Sequence, residues 1–252
     1  MSQRIKIALP VHLSILVAEN KIYREYQLFL YLKYLSDSNI ILCKGRMNVL
    51  GWLMNVTEST IGKYLKNLLS RNWIGYNYKT NLYIVRGYKE VMEIEGIKGY
   101  LTMVTCLSEV SNIRALIGAS IFGWFYRNSK YKIHKKRWNN KEGRGYGRIK
   151  RERPKQYSHP SYYPVSIYGV SKMIHVSLSE ICRLKKQAIE YGLIAAEHNI
   201  ILIKAPKGEL AQVRKYGAVN RGKYILIGNN IYLSLPDLIK PLVTLRRCHR
   251  LK

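Results

Sequence analysis

The chain has 252 residues, with 43 Lys and Arg against 15 Asp and Glu, a formal charge of +28. Apolar residues make up 47%, enough for a real core, which argues against wholesale disorder and predicts one to two domains. Asp occurs only at Asp37 and Asp237, which argues against a nuclease or polymerase that clusters carboxylates around Mg²⁺, and so large a positive charge predicts a polyanionic partner, nucleic acid before an anionic membrane surface.

An apolar run, 7–18, follows Arg4 and Lys6. Pro10 and His12 interrupt it, and Leu16-Val17-Ala18 is not a small-x-small cleavage site, so it reads as part of the fold rather than a secretion signal. Residues 24–35 predict an amphipathic helix with Leu28, Leu32 and Leu35 on one face. Residues 40–43 are a short strand candidate and Met47–Met54 a second helix. Thr57 is a good N-cap for a third helix over Glu58–Ser70, which turns Ile61, Tyr64, Leu65 and Leu68 inward. Two β-rich runs, 73–78 and 82–88, flank a turn at Lys79-Thr80-Asn81 and predict a hairpin. Helix, strand, helix, helix, hairpin is the order of a winged helix-turn-helix.

The unit recurs 120 residues later. Val56 falls on Val176, Thr57 on Ser177, Ile61 on Ile181, Lys63 on Arg183, Lys66 on Lys186, Asn67 on Gln187 and Ile74 on Ile194, with no gap. Leu65 falling on Lys185 is the main break. Residues 112–126 predict the second unit's first helix, 165–167 its strand and 168–174 its second helix. Residues 200–203 and a 224–235 hairpin, turning at Gly228-Asn229-Asn230, supply wing-like strands. An insert over 130–164 holds twelve Lys and Arg against Glu142 and Glu152, and reads as a mobile loop when free. The predicted division is an N-terminal segment 1–23, a first unit 24–100, a second unit 101–245 with that insert, and a basic tail 246–252. The expected class is α+β, mainly helical, with two winged helix-turn-helix units in tandem.

In such a unit the third helix lies in the major groove with its outer face toward base edges. The outward set is Ser59, Thr60, Gly62, Lys63, Lys66 and Asn67, and in the second unit Ser179, Glu180, Arg183, Lys186 and Gln187. Asn and Gln can read adenine, Arg and Lys guanine, and Glu can accept from cytosine. Lys79 and Asn81 sit at the first wing tip, where phosphate or the minor groove would meet them. Lys135, Lys136, Arg137, Arg148, Lys150 and Arg151 of the insert are candidate backbone contacts, with Trp138, Tyr146, Tyr157, Tyr162 and Tyr163 interleaved. The plainer alternative is a solvated basic helix in a fold used for protein contacts.

Enzyme chemistry finds little footing. Residues 217–224 match G-x-x-x-x-G-K but lack the final Ser or Thr, and a strand-like run follows where a P-loop needs a helix. His134 and Arg137 mimic an H-x-x-R recombinase box inside the charged insert. Four scattered Cys form no C-x-x-C pair, and the six His form no H-x-H or H-x-x-x-H pair, so no zinc or other metal site is expected. No cofactor is expected. The longest other uncharged apolar stretch, 115–126, is about 12 residues against the roughly 20 of a membrane span, so the expectation is a cytoplasmic protein without membrane contact.

Two such units in a chain of this size resemble the plasmid and phage replication initiators, over about residues 24–90 and 111–235. The resemblance rests on the order of elements and the 120-residue repeat. It implies double-stranded DNA as partner, bound at repeated origin sites by both units, with repression of the protein's own promoter. The helices at 57–70 and 177–191 would then read adjacent major grooves. Replication or transcription machinery and a second copy of the chain are further partner options. The competing readings are a transcription regulator and a protein-binding module that inhibits a nucleic-acid machine by occupying its DNA channel.

Overall fold

The structure is a computed structural model that describes residues 6–35, 40–42, 47–80, 82–99, 101–142, 162–203, 223–227 and 230–247. The class is α+β with mostly helical content and small three-stranded sheets. Strand β1 (Lys6–Pro10) runs into α1 (Val11–Asn20), so the apolar N-terminal run is a strand and a buried helix. Pro10 ends the one and begins the other, since its fixed φ suits both. Lys21, in the left-handed region at φ 58°, closes α1 and turns the chain into α2 (Tyr23–Leu35).

After α2 come β2 (Ile40–Leu42), α3 (Met47–Met54), α4 (Glu58–Ser70), β3 (Ile74–Asn77) and β4 (Leu82–Val85). The strands pair in the order β2-β4-β3, all antiparallel. Tyr26, Phe29, Trp73 and Tyr88 pack edge-on and stacked beneath this layer. Helix α5 (Tyr88–Ile94) and strand β5 (Leu101–Cys106) then lead through a 3₁₀ turn to α6 (Ile113–Glu142), β6 (Tyr163–Pro164), α7 (Ile167–Met173), α8 (Leu178–Glu190) and β7 (Ile194–Glu197).

The repeat read from sequence is present in the backbone. Thr57 and Ser177 cap α4 and α8, each accepting from the N–H three residues on at 3.4 Å. Asn55 and His175 share a positive φ, 53° and 50°, and so do Asn72 and Gly192, 57° and 64°. At each helix exit Trp73 N and Leu193 N donate to Leu68 O and Ala188 O, at 3.0 and 2.9 Å. Ile61 and Ile181 are both fully buried. Gly51 packs so closely on the Val56 carbonyl that a Cβ would lie 2.7 Å away. Its counterpart Ser171 instead donates its hydroxyl to the Val176 carbonyl at 2.7 Å.

The second sheet repeats the order of the first as β6-β11-β7, where β11 is Leu238–Pro241. Between β7 and β11 lie β8 (Ile200–Ile203), β9 (Lys223–Ile227) and β10 (Asn230–Ser234), paired β8-β10-β9. The predicted 224–235 hairpin is therefore formed. Ser234 pairs with Ile200 and Leu238 with Glu197, so one side of the ribbon takes four steps where the other takes three. That extra residue is a bulge, and Asp237 lies in it. A third sheet, β1-β5-β12 with β12 at Thr244–Arg247, ties both ends of the described chain to the connecting strand β5.

Three expectations are corrected. The first helix of the second unit does not stop near 126: α6 runs to Glu142, so the first third of the insert is helix. Its buried stretch, Ala115 to Phe122, lies in the 115–126 apolar run noted in the sequence, and α6 packs against α1, α2 and α8. The predicted tail at 246 begins late, because Arg246 and Arg247 are in β12, paired with Thr102 and Leu101. The strand expected at 165–167 is only Tyr163–Pro164, and Ile167 already belongs to α7. Both units feed one contiguous core. Where α6 crosses α8, Gly118 lies against the Leu184 carbonyl, where a Cβ would come within 2.4 Å, so only glycine permits the approach. Among the described residues no helix is long and apolar enough to cross a membrane.

Candidate nucleic-acid interface

Helices α4 and α8 present the basic positions. Their buried sides, Ile61, Leu65 and Leu68 in α4 and Ile181, Leu184, Lys185 and Ala188 in α8, fix which way the others face. Ser59, Lys63 and Lys66 are exposed on α4, and Ser179, Arg183 and Lys186 on α8. Thr60 is half-buried, its hydroxyl 2.9 Å from that of Thr57. Arg183 is steadied by Glu180, whose Oε2 accepts from Nη1 at 2.9 Å, and Lys186 stands 3.8 Å from Glu190.

Glu180 does not face outward as the sequence suggested. It is only 7% exposed and accepts at Oε1 from the Tyr23 hydroxyl at 2.8 Å. Tyr23 opens α2, so the first turn of α8 is bonded to the other unit across 157 residues of sequence. Burial, reinforced by the hydrogen bond to Glu180 and its charge, holds the Tyr23 pKa well above its ordinary value. The Arg114 guanidinium lies 4.7 Å over the Tyr23 ring, a cation–π contact from the start of α6.

The equivalent residues Asn67 and Gln187 turn toward the space between the units. Asn67 Nδ2 donates to Glu25 Oε1 of α2 at 3.0 Å. Gln187 is half-buried, with its Oε1 shielded from solvent and without a hydrogen-bond partner. Both line or border a cleft of about 580 Å³ between α2, α4, α6 and α8. Sequence reasoning missed Tyr23, Glu25 and Arg114. The signal for Tyr23 and Arg114 is a partner from the other unit and for Glu25 it is Asn67, 42 residues on, and no local period encodes either.

Lys79 is exposed in the turn between β3 and β4 beside Tyr78, and Asn81 lies outside the described residues. Lys135, Lys136 and Arg137 lie on α6. Arg148, Lys150 and Arg151 lie outside the described residues, as do Tyr146 and Tyr157. Tyr163 is buried in β6 and packs on Tyr126 with ring centroids 5.2 Å apart, so it is not an arm residue. Tyr162, half-buried beside it, lies under the Lys240 ammonium at 5.8 Å from its ring centroid.

The break in the repeat has a structural answer. Lys185 is 8% exposed and donates to Asp237 Oδ2, while His198 Nδ1 lies 3.0 Å from Oδ1 of the same carboxylate. Burial alone would raise the Asp237 pKa. Hydrogen bonds from Lys185 and His198, with their charges, outweigh it and hold the carboxyl below its ordinary value. The Asp237 carbonyl also accepts from Val165 N at 2.9 Å. One residue thus joins α8, the foot of the long ribbon and the strand leading to α7.

Among the described residues no group of three or more His, Cys, Asp or Glu could hold a metal ion. No protein-family model, curated protein or solved structure matches the chain.

Proposed function

We propose that this chain is a non-enzymatic, duplex-DNA-binding protein of replication-initiator type. In this reading α2 to β4 and α6 to β11 are two winged helix-turn-helix units, and α4 and α8 are their recognition helices. The observation that carries the reading is the equivalence of those two helices. Each is capped by a hydroxyl, buries an isoleucine at the same position, and exposes a cation at two matching positions, Lys63 with Arg183 and Lys66 with Lys186. Arg and Lys there would reach guanine edges or phosphates, and the β3–β4 turn with Lys79 would lie on the flanking backbone. The +28 charge supplies the long-range attraction.

The test is the salt dependence of binding to duplex DNA. If about six to ten phosphates are neutralised, affinity falls roughly 10³–10⁵-fold between 50 and 200 mM salt. A salt-independent affinity would sink the reading. One observation favours a second reading, a protein contact through α3: Trp52 is 81% exposed there, next to half-exposed Val49. Tight binding to a protein partner that Trp52→Ala abolishes, in a chain with no DNA affinity, would favour it.

A further inference from the structure

We propose that the cleft between the two units is a phosphate-binding site. It has a volume of about 580 Å³ and is walled by the first turns of α2 and α6 and by α4 and α8. Three cations line it: Lys21 from the turn before α2, Arg24 in the first turn of α2, and Arg114 in the first turn of α6. Among the described residues none of the three has a carboxylate partner. Arg24 donates to the neutral Gln27 Oε1 at 2.8 Å, and Arg114 rests on the Tyr23 ring. The one carboxylate of the lining, Glu25, is engaged by Asn67. Three cations from separate segments against the single carboxylate Glu25 leave the cleft net positive, a charge that a bound anion offsets.

The backbone adds to the same field. Both α2 and α6 begin at the cleft, and their first N–H groups carry the positive end of each helix dipole. Arg guanidinium forks suit phosphate oxygens in paired hydrogen bonds. Tyr64 and Tyr191 add ring surface beside the cations. The chemistry is that of a phosphate monoester or diester.

Two sources carry that group. One is a free phosphate or mononucleotide. The other is a backbone phosphate of DNA crossing between α4 and α8, and this source alone rests on the DNA-binding reading. The cleft lies between the two helices, which is where a strand bridging two half-sites would run.

The experiment uses the full chain and the variant Arg24→Gln/Arg114→Gln. Lys21→Asn is the second variant, because Lys21 is exposed and Asn tolerates its left-handed backbone. Calorimetric titration with inorganic phosphate and with AMP, at constant ionic strength, reads the free source. Anisotropy with a fluorescent duplex, from 50 to 200 mM salt, reads the backbone source. Thermal unfolding confirms that each variant is folded. For a free ligand, AMP binds with a stoichiometry of one and the double variant weakens it about tenfold or more. For a backbone phosphate, the slope of log affinity against log salt shrinks by about one for each phosphate contact removed. Binding of AMP or phosphate without any DNA affinity would retain the site and reject the DNA reading. DNA binding with the same affinity and slope in the native chain and both variants, and no AMP or phosphate binding, would reject the site and retain that reading. No binding in either titration would reject both.

Discussion

Lys185 of α8 donates its ammonium to Asp237, 52 residues further along, from the place that Leu65 fills in the first unit. Both positions are buried, and they differ in chemistry. The first unit closes its ribbon with a short turn and needs only an apolar side chain beneath it. The second carries a long, bulged ribbon, and the Lys185–Asp237 pair, with His198, fixes its foot to the helix. Such a pair specifies geometry more than it stabilises, because desolvating both charges offsets much of their attraction.

Removing one partner is therefore costly and removing both is not. Asp237→Ala leaves a buried ammonium without a counter-ion and is expected to cost about 3–5 kcal/mol of unfolding free energy. Lys185→Leu/Asp237→Asn, which restores the apolar chemistry of the first unit, is expected to recover most of that loss. Denaturant unfolding of the single and double variants measures both. A double variant as unstable as Asp237→Ala would show that the carboxylate acts through something other than Lys185.

The same pair sets part of the acid limb of stability. The Asp237 pKa is lowered in the folded chain, so the folded state holds its proton less tightly than the unfolded state. Its stabilising contribution is fully present above the unfolded value of about 3.9 and is lost as pH falls through the lower folded value. Unfolding free energy measured from pH 6 to pH 2 is expected to fall less steeply in Lys185→Leu/Asp237→Asn than in the native chain. Parallel curves would remove Asp237 from the acid response.

His12 acts at milder pH. Its ring packs edge-on against Trp124 at 5.5 Å, and Gly99 lies so near that a Cβ there would overlap the ring. Burial lowers the His12 pKa, and its Nδ1 has no hydrogen-bond partner. Above the unfolded value of about 6.5 both states are neutral at this residue. As pH falls from there toward the lower folded value, the unfolded chain takes up a proton that the folded chain refuses, and stability declines. Thermal unfolding between pH 7.5 and 5 should show this decline in the native chain and a flatter profile in His12→Gln. An equal decline in both would place the titrating group elsewhere.

Lys63 and Arg183 test base reading. Each alanine substitution is expected to cost about 1–3 kcal/mol on a preferred site if the side chain contacts a base, and much less on random duplex. Equal losses on both would reassign the residue to the phosphate backbone. Arg183→Ala also frees Glu180, which keeps its bond from Tyr23, so the fold is expected to survive.

What the sequence made legible was local. Thr57 and Ser177 announced two caps, and the ungapped match from 56–74 to 176–194 announced two copies of one helix pair. The copies share even their positive-φ residues, which sequence did not mark, since Asn55, His175 and Asn72 are not glycine. What stayed hidden was non-local. Glu180 sits on the polar side of its helix by period, and only Tyr23, from the other unit, makes it a buried residue. Lys185 read as an error in the repeat until Asp237 supplied its counter-charge. The charged start of the insert read as loop because its composition is polar, yet it continues the helix that begins at Ile113. Strand β5 escaped notice because its partners, β1 and β12, come from the two ends of the chain.

The shared core makes the spacing of the two units on DNA a sharp test. Residues from α2, α4, α6 and α8 belong to one contiguous cluster, and Tyr23 bonds Glu180 directly, so no free linker sets the distance between α4 and α8. If both helices dock on one face of a duplex, they enter major grooves about one helical turn, roughly 34 Å, apart. Inserting about five base pairs between the half-sites rotates one of them by half a turn. A rigid pair of units cannot follow, so affinity is expected to drop to that of one unit, and a full-turn insertion, which restores the facing but adds roughly 34 Å, is expected to lower it as far. Tyr23→Phe removes the direct bond and is expected to soften the half-turn penalty without abolishing it, because the core contact of α2 with α6 remains. Quantitative footprinting on the three spacings reads the result. Unchanged affinity on the half-turn site would mean that one helix does not touch DNA. That helix would then be α8, whose cations Arg183 and Lys186 already have the carboxylate neighbours Glu180 and Glu190, whereas no carboxylate is paired with Lys63 or Lys66 among the described residues.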